Sequence, residues 1–301
     1  MSDKYTFAIL GGDRRQAVIA KKIRALGHTV RVYGIGSFVK EMTGAEICST
    51  AEKAINGSDI ILLPLPTSRD GKTLNLCEAE QNGTIELKNI INHAHKNGNS
   101  LIIGGVIPEQ MIKNADEYGI EIIDFYQKES LQRLNALPSA EGAISLAMQN
   151  SDKVIEGTCV LVAGYGRIGK LLAQKLRALG ANVTVAARRD EVLCDISMSG
   201  YNAVRTTDTK MLQKALLENE IVFNTVPDII FTRSVIVQCT TSPIYIEIAS
   251  APGGIDVSYA RERGIKIYFA PSLPGKYAPV SAGEYIFETI TDILRERGVE
   301  I

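Results

Sequence analysis

Short β-rich runs alternate with helix-patterned stretches along the whole chain, and this alternation restricts the fold more than any other feature. The runs fall at Thr6–Leu10, Thr29–Tyr33, Asp59–Leu63, Ser100–Gly104 and Ile120–Asp124. They resume at Cys159–Ala163, Asn182–Ala186, Tyr201–Arg205, Ile221–Asn224, Pro243–Glu247 and Lys266–Phe269. Strands separated by helices pair in parallel, with helices covering both faces of the sheet. At about 150 residues per domain, 301 residues give two such domains.

The halves follow one plan. Shifted by 153, TFAILGGDRRQAVIAKKIRALGHTVRV overlays CVLVAGYGRIGKLLAQKLRALGANVTV; shifted by 161, DIILLPLP overlays EIVFNTVP. Duplication and shared packing rules both account for this, because A-L-G before a strand is also an ordinary helix C-cap. The pattern predicts a first lobe over 1–138, a connecting helix over 139–151 and a second lobe over 152–280. Ser139 reads as the N-cap of the connecting helix, with Glu141 in its first turn. Ser281-Ala282-Gly283-Glu284 reads as the capping box of a last helix, 281–301, that returns to the first lobe.

One motif carries chemistry. Gly164-Tyr165-Gly166-Arg167-Ile168-Gly169 follows an apolar run and opens a helical pattern that leads to another strand. In that βαβ context Gly164 permits the tight turn, Gly166 lets the backbone approach a diphosphate, and Gly169 lets helix and strand pack closely. The free N–H groups and positive dipole end of the helix face the phosphates. The expected fold is therefore α/β, with two doubly wound parallel-sheet lobes. The first is flavodoxin-like or Rossmann-like and the second is a Rossmann dinucleotide domain, on the two-lobe scaffold of D-2-hydroxyacid and alanine dehydrogenases. An NAD site usually carries an acid at the end of the next strand. Here Arg188-Arg189 stand there, which suits a 2′-phosphate and predicts NADP(H). Thr225-Val226-Pro227 and Ala249-Ser250 end later strands and should border the nicotinamide side.

The corresponding turn of the first lobe, Gly11-Gly12-Asp13-Arg14-Arg15-Gln16, has Asp13 for Gly166 and Gln16 for Gly169, so a second dinucleotide is not expected. Arg14 is a candidate cation for a small anionic substrate, with Ser250, Gly253, Gly254 and Lys276. The histidines, 28, 93 and 95, stand away from these motifs, which disfavours a hydroxy-acid dehydrogenase using an imidazole base. Lys276 and Glu141 are the catalytic candidates left. Glu141 reads equally well as a helix-cap partner, and Arg14 as salt-bridged surface.

Composition narrows the class further. Lysine and arginine total 33 against 34 acidic residues, so a uniformly basic nucleic-acid binder is not expected. The longest charge-free run, 234–246, is 13 residues with Pro243 inside, short of the ~20 that a membrane helix needs. MSDKYTFAILGGD does not read as a secretory signal. Cysteines 48, 77, 159, 194 and 239 are odd in number and contain no C-x-x-C, so neither a disulfide framework nor a metal site is indicated and the cytoplasm is expected.

The ordered set ILGGDRRQ (9–16), ILLPLPTSRDG (61–71), NALPSAEGAISLAMQ (135–149), VLVAGYGRIGKLLAQKLRALGANVTVAARR (160–189), FNTVPDII (223–230), IASAPGGID (248–256) and APSLPGKYAPVSAG (270–283) resembles the dipicolinate synthase A-subunit family of spore-forming bacteria. The resemblance covers nearly the whole chain. It implies NADP-dependent oxidation of dihydrodipicolinate to pyridine-2,6-dicarboxylate in the mother-cell cytoplasm during sporulation. It also implies a flavoprotein partner, the B-subunit of the same enzyme, and leaves a homo-oligomer open. In that family an arginine often precedes the P-G-G of the fifth-strand loop; here Ala251 does, so another cation would have to serve. Two alternatives stand beside this reading. One is an NADP-dependent dehydrogenase of another small carboxylic acid, and the other a nucleotide-binding regulatory subunit of a flavoprotein.

Overall fold

The computed structural model describes residues 4–41, 44–77, 84–98 and 101–301. The chain divides into two units, Met1–Asn135 with Ala278–Ile301, and Ala136–Tyr277. The first contains β1 (Thr6–Leu10), β2 (Thr29–Tyr33), β3 (Glu46–Ile47), β4 (Ile60–Leu62), β5 (Leu101–Gly104) and β6 (Glu121–Asp124). Its helices are α1 (Arg14–Ala25), α2 (Ala51–Ile55), α3 (Leu87–Lys96) and α4 (Glu109–Asp116), and α5 (Glu129–Asn150) begins in it. The second contains β7 (Cys159–Ala163), β8 (Asn182–Ala187), β9 (Asn202–Arg205), β10 (Ile221–Asn224), β11 (Ile244–Glu247) and β12 (Lys266–Phe269). Its helices are α6 (Arg167–Ala178), α7 (Asp190–Met198), α8 (Thr209–Glu218), α9 (Arg233–Ile236), α10 (Val257–Glu262) and α11 (Leu273–Tyr277). Helix α12 (Pro279–Arg295) belongs to the first unit.

Both sheets are parallel throughout, in the orders β3-β2-β1-β4-β5-β6 and β9-β8-β7-β10-β11-β12. Each is the 3-2-1-4-5-6 order of a Rossmann fold. The flavodoxin-like alternative for the first lobe, which has the order 2-1-3-4-5, is therefore wrong. Strands covered on both faces must be apolar on both faces. In β1, Phe7 and Ile9 pack with Ile19, Ile23, Ile286 and Ile290 on one side. Ala8 and Leu10 pack with Ala54, Ile90 and Ile91 on the other. In β7, Val160 and Val162 join Leu172 and Leu176, while Leu161 and Ala163 join Leu212 and Leu216.

Three elements differ from the sequence expectation. Strand β3 has two exposed residues and no apolar signal to read. Helix α5 begins at Glu129, so Ser139 and Glu141 lie in its interior and not at a cap; Pro138 lies inside it as well. A proline removes one helical hydrogen bond; the buried run Leu131, Ala136, Ala140, Ala143 and Ala147 carries the helix through. Helix α12 opens on Pro279 rather than Ser281, and Glu284 pairs with Lys22 of α1 at 3.0 Å instead of closing a capping box. Ser100, the expected start of the fifth strand, lies outside the described residues.

Gly283 sets how near α12 and α1 approach. A Cβ there would stand 2.8 Å from Val18 Cβ and 3.0 Å from the Arg15 carbonyl oxygen. Replacing a helical glycine ordinarily helps by up to about 1 kcal/mol, but overpacking costs about 1–3 kcal/mol, and a branched side chain meets backbone here. Gly283→Val should therefore lower the urea midpoint; an unchanged midpoint would show that the two helices separate freely.

Candidate nicotinamide-dinucleotide site

The second unit places its glycine turn at the end of β7, between β8 and β10. Gly164 has φ +98°, and its N–H donates to the Ala186 carbonyl at 2.8 Å. A Cβ on Gly164 would fall 2.2 Å from Thr225 Oγ1, and one on Gly169 would fall 2.1 Å from the Gly164 carbonyl oxygen. The fold itself forbids side chains at both positions. Gly166 differs: its φ of −82° suits any residue, and a Cβ there would meet nothing within 4 Å. It is the N-cap of α6, and no side chain caps that helix. An uncapped twelve-residue helix behind an open glycine fits a phosphate group, which takes backbone N–H donors and the positive dipole end.

A cleft of about 440 Å³ opens over this turn, lined by Gly164, Tyr165, Gly166, Arg188, Arg189, Val226 and Pro227 among others. Seven residues expected at the cofactor site thus meet on one cleft. Arg167, Ile168, Gly169, Thr225, Ala249 and Ser250 do not line it. Gly169 acts through packing, and Thr225 turns its hydroxyl onto the Ala163 carbonyl at 2.9 Å. Arg188 and Arg189 follow β8, with no carboxylate partner among the described residues. The adjacent acid, Asp190, is paired with Arg205.

The loops after β10 and β11 are held by a buried pair that the sequence reading missed. Asn224 is wholly buried and Glu247 is 4% exposed. Asn224 Nδ2 donates to Glu247 Oε1 at 2.7 Å and to the Val226 carbonyl at 2.9 Å. Val226 N–H donates to Asn224 Oδ1 at 3.2 Å. Glu247 also accepts from Ala249 N–H at 3.1 Å and Gly254 N–H at 2.8 Å. A buried carboxylate is tolerated when its lone pairs are met; here the donors come from the end of β10 and from the loop after β11. Gly254 is needed because a Cβ would lie 2.3 Å from Asn224 Nδ2, and Gly253 because φ is +81°. The sequence signal was a polar residue closing each of two apolar strands, IVFN and IYIE.

The remaining candidates stand apart from this cleft's lining. Glu141 pairs with Lys175 at 2.8 Å, and Arg14 with Glu41 at 2.9 Å, both pairs partly exposed. Lys276 is exposed in α11 with no carboxylate partner among the described residues. His28 is buried and accepts from Tyr5 N–H at 3.3 Å, and burial lowers its pKa. His93 lies 3.8 Å from Glu52, and His95 packs on the Tyr118 ring. Among the described residues no cluster of His, Cys, Asp or Glu could hold a metal ion, and no helix is long and apolar enough to cross a membrane.

Residues 6–126 match the family model for the N-terminal domain of the dipicolinate synthase A-subunit. Residues 139–268 match the S-adenosyl-L-homocysteine hydrolase NAD binding domain. The dipicolinate synthase A-subunit of Bacillus subtilis (strain 168) is 31% identical over 291 residues, 96% of this chain and 95% of that protein. The chain belongs to the dipicolinate synthase A-subunit family. The crystal structure of the Bacillus subtilis protein has a TM-score of 0.82 at 28% identity, over 98% of this chain and 97% of that one. The A-subunit structure from Bacillus halodurans gives 0.84 at 28%, over 97% and 98%. A transhydrogenase from Sinorhizobium meliloti shares the fold, with a TM-score of 0.68 at 16% identity over 94% and 89%. The second unit of this family member is a nicotinamide-dinucleotide domain.

Burial, reinforced by the neighbouring Glu247 charge, pushes the Tyr245 hydroxyl well above its ordinary pKa of 10.0. The unfolded chain then ionises this tyrosine first. The stability it contributes is intact below about pH 10 and is lost as pH rises beyond that. Tyr245→Phe should lose stability less steeply than the parent above pH 10, by up to about 1.4 kcal/mol per pH unit. Urea unfolding at pH 9 and 11 reads this, and parallel slopes would contradict it.

Proposed function

We propose that this chain is an NADP-dependent oxidoreductase that converts dihydrodipicolinate to pyridine-2,6-dicarboxylate, working with a flavoprotein B-subunit. The family membership supports the substrate. The observation that carries the cofactor is the pair Arg188 and Arg189 at the end of β8, without carboxylate partners among the described residues and beside an open glycine cradle. Two guanidiniums suit a 2′-phosphate, which offers more acceptor oxygens than a ribose hydroxyl. With Asp190 neutralised by Arg205, the carboxylate next in sequence is already spent and does not oppose that phosphate.

The oxidised nicotinamide, when bound, supplies the hydride acceptor. The chain's residues bind and position. Gly166 and the α6 N-terminus would receive the diphosphate, Arg188 and Arg189 the 2′-phosphate, and Val226 and Pro227 would bound the cleft beyond the turn. The substrate ring gives up one hydride and one proton and becomes aromatic, so the product favours the step and a strong base is not demanded. This agrees with the placement of His28, His93 and His95, none of which lines the cleft. Lys276, exposed and without a carboxylate partner among the described residues, remains the candidate cation of the second unit for a substrate carboxylate. Holding the ring carbon in reach of the acceptor would supply most of the rate.

Substitutions in the cleft test the cofactor. Arg188→Ala with Arg189→Ala should raise the Kd for NADPH at least about tenfold, since hydrogen bonds to charged groups contribute ~1.5–3 kcal/mol, and change that for NADH by less than about twofold. Equal loss of both would remove the 2′-phosphate assignment. Gly166→Val should lower the melting temperature by no more than a few degrees, valine being the poorer N-cap, and abolish dinucleotide binding in a fluorescence titration; retained binding would mean that no phosphate approaches there. Turnover of freshly generated dihydrodipicolinate with NADP⁺ tests the reaction itself. Binding of NADPH without turnover by the isolated chain, and turnover once the flavoprotein is added, would favour a regulatory or incomplete enzyme component.

A further inference from the structure

The end of β9 meets the dinucleotide cleft beside the two arginines. Ladder pairing between β8 and β9 runs to Ala187 against Arg205, so the residues that follow, Arg188 and Thr206, leave the sheet side by side. Thr206 N–H donates to the Ala187 carbonyl at 2.9 Å, which fixes its backbone at the strand end. Thr206 lines the same cleft as Arg188 and Arg189. It is partly buried, and its hydroxyl has no hydrogen-bond partner among the described residues. The other hydroxyl of that lining, on Tyr165, donates to Ser199 Oγ at 3.3 Å. Arg205, the residue before Thr206, pairs with Asp190 and brings Nη1 within 3.5 Å of the Arg188 carbonyl. The segment 188–190 is therefore held from β9, by a residue whose charge is already spent. Asp228, the acid of the lining, follows β10, which β7 and β8 separate from β9 in the sheet.

A threonine hydroxyl rotates to suit its partner, and donates one hydrogen bond. We infer that Thr206 is a specificity-determining residue of this site, its hydroxyl donating to the 2′-phosphate that Arg188 and Arg189 hold. This rests on the NADP reading proposed above. A 2′-phosphate offers several charged acceptor oxygens, and the adjacent ends of β8 and β9 set two guanidiniums and one hydroxyl against them. In NAD(H) the same hydroxyl meets only a ribose hydroxyl. A hydrogen bond to an ionised group is about twice as strong as a neutral one, so the gain from Thr206 falls on NADP(H). Arg205 leaves this contact open: by taking up Asp190 it removes the carboxylate that would compete with the phosphate for the arginines. Val192 and Ile230, which also line the cleft, are apolar and offer no side-chain donor.

The test is fluorescence titration of the full chain with NADPH and, separately, with NADH. Thr206→Val keeps the branched shape and removes the hydroxyl. It should raise the Kd for NADPH about tenfold, as loss of a hydrogen bond to a charged group does, and change that for NADH by less than about twofold. Thr206→Ser, which keeps the hydroxyl, should stay within about twofold of the parent for both. Retained NADH binding separates a lost contact from a lost fold. Equal weakening of both cofactors by Thr206→Val would set the side chain against the part of the nucleotide common to both, and would overturn the inference. If Thr206→Val binds NADPH as the parent does, while Arg188→Ala with Arg189→Ala loses NADPH selectively, the 2′-phosphate stands and Thr206 is no part of its site. If the parent binds NADH as tightly as NADPH, the 2′-phosphate reading falls and Thr206 with it.

Discussion

Parallel strands cannot be joined by a two-residue turn, because each must begin at the end where its neighbour began. Every pairing in both sheets therefore needs a crossover, and helical crossovers bury both faces of each sheet. That single constraint explains why β1 and β7 are apolar on every inward position and why the polar chemistry is confined to the strand ends. At those ends the backbone leaves the ladder, N–H groups come free, and loops of different strands meet. Binding capacity then depends on which residues occupy a few turn positions, above all those after the first strand of each unit.

The two units fill that turn in opposite ways. After β7 the helix start is left uncapped, and Gly166 keeps the space over it open. After β1 the capping position is taken by Asp13, whose carboxylate meets an N–H group of the helix start, and the Gly169 equivalent is the long side chain of Gln16. A carboxylate at the helix N-terminus stabilises the helix by the same attraction that an incoming phosphate would use. The first unit has thus given up an open helix start for a capping carboxylate and a fixed guanidinium. The strand order is the same in both units, so the difference between the two turns lies in the residues at two positions and not in the architecture.

Most of this architecture is legible in the sequence because each buried strand needs a short apolar run and each helix its own periodicity. Eleven of the twelve strands left such a run; β3, with exposed Glu46 and Ile47, is held by backbone pairing to β2 and had no side-chain signal to give. The cap readings at Ser139 and Ser281 failed because a local cap competes with burial of a longer stripe, and in α5 burial won across Pro138. The fingerprint was legible since backbone conformation and close packing demand glycine itself. Arg14 and Arg15 are neighbours that no composition rule separates; only the fold shows that one reaches Glu41 and the other Leu65.

The Asn224–Glu247 pair shows what sequence reading cannot reach. Its members sit 23 residues apart on adjacent strands, and each alone looks like a polar strand end. Together they hold both loops of the dinucleotide end by five hydrogen bonds from side-chain amide, backbone amide and carboxylate groups. Buried and fully met, such a network is rigid; with one member removed it becomes an unpaired buried acid, which is strongly destabilising. The arginines at the rim follow the reverse logic. A guanidinium already paired would have to break that pair to hold a phosphate; in the proposed 2′-phosphate role Arg188 and Arg189 would serve best without a carboxylate, while Arg205 takes up the adjacent acid. Rigidity where the backbone shapes the cleft, and unspent charge where the ligand carries its own, are the two requirements of a site that must both select and release a dinucleotide.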